Sequence, residues 1–78
     1  MNLSTLIRHA LAAKRWHAQD LRHAMMLDGL DVGQNTIYGW TTYGHVPGAN
    51  FVPALARALA VSVEALCAAA EATARERT

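Results

Sequence analysis

Gln34 and Asn35 stand side by side where an apolar period resumes, and each carries an amide that donates and accepts hydrogen bonds at once. Bidentate recognition of an adenine edge requires that pairing of groups. Tyr38, Thr41 and Thr42 follow at four, seven and eight residues from Gln34, so the spacing lays them along one helical face, opposite Ile37 and Trp40. Other chemistries find less support. No nucleophile is paired with a base, no two acids share an apolar setting and no phosphate-binding glycine loop occurs, so neither an enzyme nor a cofactor is expected. Four histidines raise the question of zinc. His9, His17 and His23 are eight and six residues apart, which does not stack them on one helix face, and Cys67 is the only cysteine. No metal site is expected.

The elements that hold those amides must come from one small core, because 78 residues suffice for one domain and not for two. Hydrophobic residues make up 53% of the chain and charged residues 17%, a balance typical of a packed domain and unlike that of a disordered tail. Alanine and leucine dominate over β-branched and aromatic residues, so an all-α fold is expected. No apolar run approaches the roughly 20 residues that span a bilayer, and the first residues lack the pattern of a signal peptide. A cytoplasmic location without membrane association is therefore expected. Cys67 has no partner for a disulfide, and its setting beside Leu66 and three alanines reads as a small buried residue. The net charge is only +1, but Arg8, Lys14, Arg15 and Arg22 face a single acid, Asp20, in the stretch that ends at His23. Such a cluster suits an anionic partner and equally a solvated helix face.

Leu3, Leu6, Ile7, Ala10 and Leu11 keep the spacing of an amphipathic helix over about 3–14, with Asn2 or Ser4 as its cap. Trp16 and His17 interrupt it, Trp16 as a lid over the first two helices. Leu21, Ala24 and Met25 then predict a second helix from about Ala18 to Leu27. Asp28-Gly29-Leu30-Asp31-Val32-Gly33 reads as a turn with Leu30 and Val32 pointing inward. The third helix starts at Gln34, runs about ten residues and is stopped by Gly44. A loop through Pro47 follows, Asn50 caps a fourth helix with Pro53 in its first turn, and Leu55, Ala58 and Leu59 form its buried face. Ser62 caps a fifth helix carrying Leu66, Cys67, Ala70 and Ala74.

Three pieces of this pattern, in order, resemble the DNA-binding domain of lambdoid phage repressors, Cro proteins and the wider XRE-like family. Val32-Gly33-Gln34-Asn35-Thr36-Ile37-Tyr38-Gly39-Trp40 looks like that family's turn and recognition helix, Pro47 stands at the place of its loop proline, and Phe51 through Leu66 is similar to its fourth helix and the start of its fifth. The resemblance covers about residues 6–66. It departs in two places. Leu21 lies 11 residues before Val32, where the family has about six, so the second helix or the turn is longer by about five. Gly39 also takes a position from which the family often projects a long polar side chain toward DNA, so a base contact is expected to be missing there.

The resemblance implies a five-helix, lambda-repressor-like helix-turn-helix domain that binds double-stranded DNA in the bacterial cytosol as a transcriptional regulator, a repressor of phage or plasmid type. Gln34 and Asn35 are its expected base readers, with Tyr38 and Thr42 contributing by stacking or by contact with a thymine methyl. Arg22, His23, Thr41, Tyr43, His45 and the amides opening the fourth helix at Asn50 and Phe51 are expected on phosphates, the last two because a helix amino terminus favours an anion. One such helix reads few base pairs, so a homodimer on an inverted repeat is implied. Residues 67–78 extend past the family's minimum, and Leu66, Cys67 and Ala70 form the stripe assigned to dimerisation. The alternative is a protein-interaction module with the same fold, for example an antitoxin. A tail that orders only on a partner would mark it, whereas this tail is short and helical in pattern.

Overall fold

A computed structural model describes residues 2–76 of the chain, so the last two positions of the 67–78 extension lie outside the described residues. All regular structure among them is helical: α1 (Leu3–Lys14), α2 (Ala18–Leu27), α3 (Gln34–Thr41), α4 (Val52–Leu59) and α5 (Val63–Glu76). The expected all-α class and five-helix order hold, and no described helix alone is long and apolar enough to cross a membrane.

Helix ends follow from local hydrogen bonding. Asn2, rather than Ser4, caps α1, its Oδ1 accepting from the Thr5 amide at 2.9 Å. At the start of α2 the Asp20 carboxylate accepts from the His17 amide at 2.8 Å, and at α5 the Ser62 hydroxyl oxygen accepts from Ala65 at 3.0 Å. The far end of α2 is closed by Gly29 at φ +86°, with the Leu30 amide reaching back to the Met25 carbonyl and the Gly29 amide to that of Met26, both at 3.0 Å. This left-handed closure satisfies carbonyls that the helix leaves open, and glycine adopts it without a Cβ penalty. Leu30 is left half-buried and Val32 buried, as the turn pattern requires.

Two boundaries differ from expectation. Helix α3 has eight residues, not about ten. Phe51, not Asn50, precedes α4, because Gly48 through Phe51 form a turn in which the Phe51 amide donates to the Gly48 carbonyl at 2.9 Å. Pro53 does lie in the first turn of α4, where its missing amide proton costs little.

The core draws on every helix and on the α2–α3 connection. Leu3, Ile7 and Leu11 of α1 meet Leu21 and Met25 of α2, Val32 of the connection, Ile37 and Trp40 of α3, Leu55 and Leu59 of α4, and Leu66 and Ala69 of α5. Trp16 packs half-buried against this cluster, with the Lys14 ammonium 4.9 Å from its ring centroid. Arg57 on α4 donates from both Nε and Nη2 to one oxygen of Asp28, clipping α4 to the end of α2.

The stripe assigned to dimerisation needs correcting. Leu66 is 2% exposed and part of the core, Ala70 packs half-buried against it, and Cys67, expected to be buried, is exposed. Helix α5 lies back along α1. The Leu3 amide donates to the Thr73 hydroxyl at 2.8 Å, and Asn2 Nδ2 donates to Glu76 at 3.0 Å. With Leu66 turned inward, Cys67 falls about 100° around the helix and reaches the surface.

Candidate nucleic-acid interface

Helix α3 owes its position to three neighbours. Ile37, 0% exposed, and Trp40, 2% exposed, bury its inner side, and the ring of Phe51 packs tilted on Trp40 with centroids 5.6 Å apart. From α1 the Ser4 hydroxyl donates to the Trp40 carbonyl at 2.8 Å, and from α2 Arg22 Nε donates to the Val32 carbonyl at 3.0 Å, just ahead of Gly33. The helix is thus fixed at both ends and along one side. Its other side, carrying Gln34, Asn35, Tyr38 and Thr42, faces outward.

At about 1.5 Å per residue, α3 is roughly 12 Å long, with the two amides at its amino-terminal end and Thr42 just past its carboxy-terminal end. Gln34 Nε2 donates to the Tyr38 hydroxyl at 3.3 Å, linking successive turns of the exposed face. A groove of about 350 Å³ separates these two residues from His17, Ala18 and Gln19 at the start of α2. His17 and Gln19 therefore border the α3 face, although neither is an expected contact from the sequence. Nothing in their local pattern marks them; only the packing of α2 beside α3 does. Gln19 also borders a second depression on α2, lined by Asp20, Arg22, His23 and Met26.

The remaining expected contacts divide. His23, Tyr43, His45 and Asn50 are exposed and free of the core, as a phosphate contact needs. Tyr43 and His45 lie together after α3, their rings 6.2 Å apart. Thr41 must be withdrawn from both the polar face and the phosphate set: it is buried, and its hydroxyl donates to the Ile37 carbonyl at 3.1 Å. It lies four residues from Ile37 and so shares the inner face, where a threonine is tolerated because its own helix satisfies the hydroxyl. Phe51 is withdrawn as well, since its amide is bonded to Gly48 and its ring packs on Trp40. At Gly39 the helix surface is not open. A Cβ there would come within 2.8 Å of the His45 ring nitrogen Nδ1, and the His45 amide donates to the Gly39 carbonyl at 2.9 Å, so the imidazole lies over the missing side chain.

Arg22 gains a role the sequence did not suggest. Its Nε holds the connection that aims α3, so Arg22→Ala is expected to lower stability by about 1 kcal/mol, the net worth of one such bond. A urea titration of the variant reads this directly. An unchanged midpoint, with weaker binding to DNA of every sequence, would return Arg22 to a purely phosphate-facing role.

Among the described residues, no three histidine, cysteine, aspartate or glutamate side chains converge as a metal site would require. In comparisons with family models, curated proteins and solved structures, nothing matches the chain.

Proposed function

We propose that the chain is a sequence-specific, double-stranded DNA-binding regulator, with α2 and α3 acting as a lambda-repressor-like helix-turn-helix and α3 as the element that enters the major groove. The observation that carries this reading is the two-sidedness of α3. Ile37 and Trp40 lock one side into the core while Gln34, Asn35, Tyr38 and Thr42 stand in a row on the other. A short, rigidly held helix with adjacent amides at its amino-terminal end is suited to base edges, which in the major groove distinguish all four base pairs. His23, Tyr43, His45 and Asn50 supply phosphate contacts around it, joined by Gln19 from the start of α2.

Two copies act together across an inverted repeat, because one eight-residue reader spans few base pairs. On α5 their contact would have to use exposed residues such as Val63 and Cys67, one turn apart, in place of Leu66. Binding of the pair at a promoter blocks transcription. A protein partner is the second reading, and one observation favours it. Leu27, 78% exposed, borders a cleft of about 260 Å³ lined by Ala24, Ala54 and Ala58 and by the Asp28–Arg57 ion pair.

The deciding experiment is a titration of random duplex DNA, and of duplexes selected from it, at two salt concentrations. Affinity is expected to fall with a logarithmic slope of about −0.9 per phosphate neutralised, and selected sites are expected to contain half-sites roughly 10 base pairs apart or a multiple of that. Absence of binding to any duplex at low salt would remove the proposal.

A further inference from the structure

Tyr38 stands on the outward face of α3, 43% exposed, where direct contact with a base is the obvious role. Its hydroxyl is already engaged. Gln34 Nε2 donates to it at 3.3 Å across one turn, and the two side chains form one wall of the groove against His17 and Gln19. We infer that Tyr38 is a positioning residue, whose hydroxyl tethers the Gln34 side chain so that its amide stands ready for an adenine edge. The inference rests on the DNA-binding reading above and names what that site prefers.

A glutamine amide grips adenine through its oxygen, which accepts from N6, and through the N–H on the same edge, which donates to N7. The other N–H of the same nitrogen is left over, and the Tyr38 hydroxyl accepts it. Both contacts can be made at once. A side chain already tethered in this way gives up less rotamer freedom when it meets the base, so its contact discriminates more sharply. A glutamine without this partner samples more rotamers and must give them up on binding. Tyr38 therefore acts on the choice of base through Gln34, from a place one turn further along the helix. The hydroxyl is bonded to Gln34 and not to the neighbouring amide of Asn35, so the effect belongs to one base pair per half-site.

The test uses the full chain and a pool of random duplexes of roughly 20 base pairs, long enough for two half-sites a turn apart. Sites selected by the wild type are re-measured, one base pair at a time, with Gln34→Ala, Tyr38→Phe and Tyr38→Ala. Tyr38→Phe keeps the ring and removes only the hydroxyl. It is expected to lower adenine-over-guanine preference about 2- to 10-fold, the range set by freeing one ordered side chain, at the same base pair that Gln34→Ala affects and at no other. Affinity for nonspecific duplex should stay within about twofold of wild type, since phosphate contacts set it.

If Tyr38→Phe discriminates like wild type while Tyr38→Ala does not, the ring itself touches the base and the inference is overturned. It is overturned equally if Tyr38→Phe acts at a base pair that Gln34→Ala leaves unchanged. A readout without DNA separates this from the functional reading. In the free protein, nuclear magnetic relaxation of the Gln34 side-chain nitrogen should show an ordered amide that becomes mobile in Tyr38→Phe. Loss of order there, together with failure of the wild type to bind any duplex, would overturn the DNA reading and leave the positioning contact standing. An amide equally mobile in both proteins would overturn the contact.

Discussion

Leu66→Glu is expected to unfold the protein rather than to separate two folded copies. Leu66 is 2% exposed and touches the cluster that joins α5 to the rest of the molecule. Removing its side chain alone would cost about 2 to 5 kcal/mol through lost burial and the cavity left behind. A carboxylate put in its place adds the penalty of an unpaired charge in an apolar setting, several kcal/mol more. A domain of this size has roughly 4 to 12 kcal/mol of stability in all, taking about 0.05 to 0.15 per residue. The sum consumes most or all of it. Circular dichroism at room temperature is expected to show loss of helix, or a thermal midpoint lowered by tens of degrees.

The control is the next residue. Cys67→Glu puts the same carboxylate on the surface of the same helix and should change stability by no more than about 0.5 kcal/mol. Any loss of self-association in that folded variant would then locate a contact between copies on the exposed flank of α5. A Leu66→Glu protein that stays fully helical but becomes monomeric would reverse the assignment and put Leu66 back at an interface.

The two residues are hard to tell apart by pattern. In α5 the run Leu66-Cys67-Ala68-Ala69-Ala70 gives nearly every face some apolar character, so spacing alone does not phase the helix. Packing against α1 does, through Thr73 bonded to the Leu3 amide. Where the pattern has contrast, it is legible. Leu3, Ile7 and Leu11 mark the inner face of α1, Gly29 marks the close of α2, and Ser62 marks the start of α5. The outward placement of Gln34, Asn35, Tyr38 and Thr42 can be read in the same way, because Ile37 and Trp40 fix the opposite side of α3. Thr41 misleads for a local reason, since a polar residue type gives no sign that its own helix will satisfy the hydroxyl. The clamp from Arg22 to Val32, the seat of His45 over Gly39 and the approach of His17 and Gln19 to α3 all depend on tertiary packing. The local sequence carries no signal for any of them.

The second large effect concerns binding, and Asn35 is where it should be cleanest. Asn35 is exposed at the second position of α3, beside Gln34, so truncating either amide removes no core contact. Alanine also favours a helix more than asparagine does, by a few tenths of a kcal/mol, so Asn35→Ala should fold at least as well as the wild type. Any loss of binding is then a loss of contact. A bidentate amide-to-base pair discriminates by about 1 to 3 kcal/mol, so Asn35→Ala and Gln34→Ala are each expected to weaken binding to the selected site roughly 5- to 150-fold for each half-site. The loss should map to one base pair per half-site, a different one for each variant. Nonspecific affinity and its salt slope should hardly change, because neither amide carries charge and phosphate contacts set that term. Fluorescence anisotropy on selected and scrambled duplexes, at matched salt, measures both quantities in one experiment. If both variants kept full discrimination between the two duplexes, α3 would not be the reader, and the outward row of α3 would need another partner.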